Sequence, residues 1–314
     1  MRCGAVIPVR PGEWKHLGAT VQAIEAAGWS YAFSDEGPFA GNNDSVAAAL
    51  YMATHTSRVS VGSSVAISYL RHPYNAASLV SIVNEVSDNR MVLGLGCSHP
   101  AINTPLGIEM PKPVTEMREY VASVRQHLGD DDRTPIWIAA LRPPMARLAG
   151  AIADTVNFHH NPLNTFDRVV EAVREGERKV GRTDRCQIAL YARIAMSDDL
   201  EASRRVGRAT MRGYCSLPTY RELYAKAGFD DEMEALAHAL ETGDDEAADR
   251  AITDQLLDDV LVLGPPARCR EQLKRFKASG VDIVLFAPLS PTPVSGIDEL
   301  FAPIVTEFAG YESG

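Results

Sequence analysis

The stretch "NRMVLGLGCSHP", residues 89–100, decides how this chain is read. Met91 to Leu95 form an apolar run of the kind buried in a sheet, and within three positions the chain turns glycine-rich and polar at Gly96-Cys97-Ser98-His99. A hairpin would need Asn-Gly or Asp-Gly there, with a second alternating strand straight after it. Neither follows. A loop containing Pro100, Pro105, Pro111 and Pro113 leads instead into a helical pattern. A strand that opens into a loop before a helix is the unit of a parallel sheet, where ligands gather at the C-terminal ends of the strands.

The same unit recurs on both sides of that stretch. Runs at 3–9, 31–36, 59–68, 135–140, 155–160, 187–196 and 282–289 also read as strands, each followed by helical spacing. Trp14, Leu17, Val21 and Ile24 make one helix face, stopped by Gly28 in the C-cap position. Asn43-Asp44 can cap the next helix, and Pro73 suits a first helical turn. Gly62-Ser63-Ser64 interrupts the third strand as a bulge would. From 199 to 258 the rhythm breaks into polar, acidic, helical sequence without a convincing strand. Eight strand–helix units predict an α/β fold, a (β/α)8 TIM barrel with a helical insertion between strands seven and eight, residues 1–314 forming a single domain. A doubly wound sheet would use fewer strands and carry Gly-x-Gly-x-x-Gly after strand one, where this chain has "PVRPGEW".

Composition narrows the function. The 314 residues are 46% hydrophobic and 23% charged with a net charge of −10, which argues against a nucleic-acid-binding surface. No apolar run approaches the ~20 residues of a membrane span, and the start reads as a strand, not a signal peptide. Cys3, Cys97, Cys186, Cys215 and Cys269 are scattered and lack Cys-x-x-Cys spacing, so reduced thiols and a cytoplasmic location are expected.

In a barrel the chemistry sits after the strands. Those ends carry Arg10, Asp35-Glu36, Ser64-Val65, Arg71-His72, Cys97-Ser98-His99, Leu141-Arg142, His159-His160-Asn161 and Arg193. There is no nucleophile elbow and no strand-end Lys for a Schiff base. Neighbours on a strand face opposite ways, so one of His159 and His160 is expected in the pocket and one behind it, with no metal site. By the same rule one of Asp35 and Glu36 points at the pocket, and the other binds Arg or caps an amide. Arg142, before a helix start at Pro143-Pro144, reads as an anion site made with free helix N–H groups.

"RHPYNAASLVSIVNEVSDNRMVLGLGCS", "PIWIAALRPPMARLAGAIADTVNF" and "LVLGPPARCREQLKRFKASGVDIVLF" together resemble the bacterial luciferase-like monooxygenase superfamily, in order over nearly the whole chain. Within it the chain looks most like the coenzyme F420-dependent branch that includes methylene-tetrahydromethanopterin reductase. Some alcohol and sugar-phosphate dehydrogenases of that kind have an acid-His pair after strand two and Gly-x-Gly-Glu after strand four. Here those places read Asp35-Glu36 and Cys97-Ser98-His99, so histidine and carboxylate are exchanged and the substrate stays open. The resemblance implies hydride transfer between F420 and an organic substrate, with Glu36 and His99 sharing one pocket as catalytic groups. It implies coenzyme contacts from Asp35, Ser64, Val65, Cys97, Ser98, Leu141 and Arg142, with the phosphate at Arg142, and a homodimer. With the interrupted third strand, it also implies a non-prolyl cis peptide at Ser64-Val65. An FMN-dependent monooxygenase served by a separate reductase, and a non-catalytic coenzyme-binding barrel, are the alternatives.

Overall fold

The structure is a computed structural model and describes residues 1–36, 43–130 and 132–313. Its strands are β1 (Arg2–Ile7), β2 (Tyr31–Ser34), β3 (Ser60–Ser63), β4 (Ala66–Ile67), β5 (Met91–Gly96), β6 (Ile136–Ala140), β7 (Thr155–His159), β8 (Gln187–Met196), β9 (Val262–Gly264) and β10 (Ile283–Pro288). β1, β2, β3, β5, β6, β7, β8 and β10 follow one another in chain order, all parallel. They close into a barrel because β10 pairs with both β8 and β1. This is the eight-stranded TIM architecture. The two short strands are extensions of it: β4 pairs with β5, and β9 pairs with the upper part of β8.

Around the barrel lie α1 (Trp14–Ala26), α2 (Ser45–His55), α3 (Pro73–Ser87), α4 (Pro100–Asn103), α5 (Pro113–Leu128), α6 (Pro143–Ile152) and α7 (Phe166–Lys179). The insertion holds α8 (Leu200–Cys215), α9 (Pro218–Tyr224), α10 (Asp230–Thr242), α11 (Asp245–Ala251) and α12 (Asp254–Val260); α13 (Pro266–Ala278) and α14 (Ile297–Glu307) complete the ring. Local signals set the boundaries. Gly28, at φ +78°, lets the chain leave α1. Asp44 Oδ1 accepts from the Val46 and Ala47 N–H groups, both at 2.9 Å, and so opens α2. No helix among the described residues is long and apolar enough to cross a membrane.

Strand alternation divides the core in two. Val6, Tyr31, Phe33, Val92, Trp137, Tyr191 and Leu285 fill the barrel interior, while the intervening residues pack outward against the helices. The opening stretch finds its explanation here. A Cβ on Gly94 would lie 2.0 Å from the Ser63 carbonyl oxygen, and one on Gly62 would lie 2.1 Å from that of Val92. β3 and β5 therefore approach each other more closely than any residue but glycine permits. At Gly94 the neighbour is thus the adjacent strand. Ser64–Val65 is a cis peptide, and β4 starts directly after it.

The insertion is more than a solvated surface. Met211, Cys215, Tyr224, Phe229, Leu236, Leu256 and Leu257 form their own buried cluster, packed on Ala195 and Leu263 at the upper end of the barrel.

Candidate active site

At the C-terminal mouth of the barrel is a cavity of about 410 Å³. One side of it is made of small side chains: Val65 after β3, Gly96 at the end of β5, and Ala139 and Ala140 on β6. Gly96 is small for a reason. A Cβ there would stand 2.4 Å from Val65 Cγ2, so glycine leaves the space that Val65 fills. Met110, Pro113, Val114, Leu141 and Met145 add apolar surface, and Thr219 and Tyr220 from the insertion help to cover it.

Three polar side chains stand in the wall, Asn157 and His159 on β7 and His99 just after β5. Asn157 Nδ2 donates to Ser64 Oγ at 2.9 Å, which fixes the amide and leaves its Oδ1 buried without a partner. His159 has its Nε2 sealed and unpartnered. His99 Nε2 lies 3.3 Å from the Tyr220 hydroxyl. Burial, with Arg142 nearby, holds the His99 imidazole below its ordinary value, and burial pushes His159 and His160 lower still, so all three favour the neutral form. His160 leaves the strand at φ +60° and stacks on Tyr214, its Nδ1 3.2 Å from the Tyr224 hydroxyl. One histidine thus lines the cavity and one packs behind it, as alternation requires.

Of the residues expected from sequence, Val65, Cys97, Ser98, His99, Leu141 and Arg142 line this cavity, with Ser64 held behind it by Asn157. Burial raises the Cys97 thiol, so it is a wall group and not a nucleophile. Arg142 pairs with Glu222 of α9 at 2.5 Å. The helix behind it is a poorer anion site than expected, because Pro143 and Pro144 have no N–H to offer.

The two adjacent carboxylates part company. Tyr31 and Phe33 point into the barrel, so Asp35 shares their parity and Glu36 faces the helices. Glu36 does not reach the cavity with His99. Its Oε2 accepts from Ser45 Oγ at 2.6 Å and from Arg71 Nη2 at 2.9 Å, with the Arg71 and Glu36 side chains only 9% and 4% exposed. Breaking a buried, hydrogen-bonded ion pair leaves the other charge uncompensated, although Asp44 remains 2.9 Å from Arg71. Glu36→Gln is therefore expected to destabilise the fold by about 1–3 kcal/mol in chemical denaturation, while turnover per folded molecule stays near wild type. Loss of turnover at unchanged stability would return Glu36 to the catalytic list.

The sequence reading missed Asn157, Thr219 and Tyr220. Asn157 was legible as a polar residue of inward parity in the run 155–160. The signal for Tyr220 is the aromatic spacing in "YCSLPTYRELY", residues 214–224, within an otherwise polar segment. Among the described residues no group of three His, Cys, Asp or Glu side chains could hold a metal ion.

The sequence model of the luciferase-like monooxygenase family matches residues 1–282. The chain belongs to that family. Among relatives, the 5,10-methylenetetrahydromethanopterin reductase of Methanolobus tindarius is 24% identical over 280 residues, covering 82% of this chain and 86% of its own. Among solved structures, the coenzyme F420-dependent tetrahydromethanopterin reductase of Methanopyrus kandleri superposes with a TM-score of 0.77 at 18% identity, covering 98% and 99% of the two chains. The oxygenating constituent of a Pseudomonas putida 3,6-diketocamphane monooxygenase, in complex with FMN, gives 0.69 at 16% identity, covering 98% and 97%. This luciferase-like chain is thus an enzyme of a family whose relatives include both reductases and monooxygenases.

Proposed function

We propose that this enzyme transfers a hydride between coenzyme F420 and an organic substrate in the cavity at the barrel mouth. The observation that carries the reading is the small-residue wall of Val65, Gly96, Ala139 and Ala140 beside the polar side chains of Asn157, His159 and His99 in the same lining. A flat heterocycle fits such a wall with its face and such side chains with its edge. The full-length similarity to reductases supports the same coenzyme. When bound, F420 supplies a deazaflavin ring that carries hydride and does little oxygen chemistry.

The chain's own part is positioning and proton handling. Val65 and the two alanines offer apolar contact, and Asn157, locked by Ser64, holds a fixed amide in the wall. His99, neutral and on the cavity wall, can hold or give a proton at Nε2, where the Tyr220 hydroxyl orients it. Thr219 and Tyr220 help to exclude water.

The largely apolar remainder of the lining favours one second reading. Met110, Pro113, Val114 and Met145 would suit an FMN-dependent oxygenase, which needs a dry pocket. Glu36 and Ser64 are turned to other partners, which leaves Ser98, His99 and Arg142 as the polar groups that the expected strand ends bring to the cavity. Titration of the purified protein decides between the two. F420 is expected to bind at least about tenfold more tightly than reduced FMN, a difference of ~1.4 kcal/mol. The reverse order, with oxygen-dependent product formation, would refute the proposal.

A further inference from the structure

We infer that Arg193 and Asp35 form a carboxylate-binding subsite at the centre of the barrel mouth, and that the substrate is an organic acid held there by its carboxylate. Assigning that carboxylate to the substrate rests on the hydride-transfer reading above.

Both residues are placed by alternation. Phe33 on β2 and Tyr191 on β8 belong to the interior layer, and Asp35 and Arg193 stand two residues further along on the same face. The Arg193 guanidinium lies 5.1 Å from the Tyr191 ring centroid and 5.7 Å from that of Tyr214. Nη2 donates to the Tyr214 hydroxyl at 2.7 Å. Among the described residues that is its single hydrogen bond; it closes no ion pair, and its Nε is sealed and unpartnered. Asp35 is half-buried, and its Oδ1 is likewise sealed and unpartnered. Each feels the other's charge, yet they do not meet.

An unpaired guanidinium in such a place costs stability unless something answers it. Arg10 adds a second positive group toward Asp35, whose carboxyl is lifted to about 6 by burial. A guanidinium flanked by aromatic rings matches a planar, singly charged carboxylate, and a protonated Asp35 would donate to its second oxygen. A phosphate dianion would find too few donors. His159 links this subsite to the cavity: it lines the cavity and sits 4.3 Å, between ring centroids, from Tyr191 and 5.1 Å from Tyr214.

Calorimetric titration of the coenzyme-free protein with benzoate and with neutral benzamide tests the subsite. Wild type is expected to prefer benzoate by about tenfold or more. Arg193→Gln should abolish the preference, and Asp35→Asn, which removes the competing charge, should strengthen benzoate binding. Equal binding of the two probes, absence of benzoate binding, or an Arg193→Gln variant that keeps the preference would each overturn the subsite. F420 titrated into Arg193→Gln should bind as to wild type; a parallel loss would give the subsite to an acidic group of the coenzyme and overturn the assignment to substrate. Failure of wild type to bind F420 would refute the functional reading and leave the benzoate result standing on its own.

Discussion

Turnover of the His99→Gln variant is expected to fall by about 10²–10⁴-fold, with coenzyme affinity nearly unchanged. His99 and His159 are the histidines in the cavity wall, but His159 Nε2 is sealed inside, whereas His99 stands on the loop after β5 with a hydroxyl at its Nε2. Burial and the nearby Arg142 hold its pKa below the ordinary 6.5. The imidazole is then neutral at pH 7 and takes up a proton only at more acid pH than a free histidine does. If His99 accepts a proton in the reaction, the acid limb of the pH–rate profile lies below that ordinary value and disappears in the glutamine variant. The same shift makes a stability statement. Because the folded-state pKa is depressed, the contribution is present above 6.5 and is lost as pH falls through the folded value. A variant that kept wild-type turnover and the same acid limb would remove His99 from the chemistry.

Gly94→Ala is expected to be the most damaging small substitution in the barrel. The added Cβ would meet a backbone oxygen, that of Ser63, at 2.0 Å. The two strands cannot slide apart to admit it, because Ser63 Oγ donates to the Gly94 carbonyl at 2.8 Å and accepts from the Gly94 N–H at 3.0 Å. Overpacking typically costs ~1–3 kcal/mol, and an obstacle made of backbone leaves no rotamer to change. A loss of about 3 kcal/mol or more follows, seen as a fall in Tm of about 6 °C or more. Gly96→Ala provides the contrast, since its Cβ meets a side chain, Val65 Cγ2, that can turn. It should unfold near the wild-type temperature yet bind coenzyme less well, because the wall itself is displaced. Equal stability of the two variants would show that β3 and β5 separate easily.

The strands were legible because each apolar run ends at glycine, proline or a polar cluster, and β8 falls on 187–196 in both sequence and structure. β9 was not, because three residues after an insertion carry no period of their own. The choice between Asp35 and Glu36 was harder for a physical reason. In a TIM barrel the strands are buried on both sides, so "YAFS" is apolar at every parity and does not say which face is the interior. Register with β1 and β3 supplies that, and it puts Asp35 inside. Arg193 was visible as a strand-end arginine, but its lack of a partner is a property of the closed barrel. Tyr220 was hidden in another way, since the aromatic spacing of residues 214–224 marks a packed edge without showing which distant strand that edge faces.

The two halves of the cavity wall differ in how freely they can change. Val65, Gly96, Ala139 and Ala140 lie on the barrel strands or directly after them and face the cavity together, so replacements there displace the ring-facing wall itself. Thr219 and Tyr220 belong to a short helix whose neighbours form a separate buried cluster, joined to the β6 loop through the exposed Arg142–Glu222 pair. Substitutions on that helix reshape what the cavity admits while leaving the ring-facing wall intact. A library confined to residues 216–222, short of the buried Cys215 and Tyr224, should thus yield folded proteins with altered substrate range more often than one of equal size spread over the strand ends.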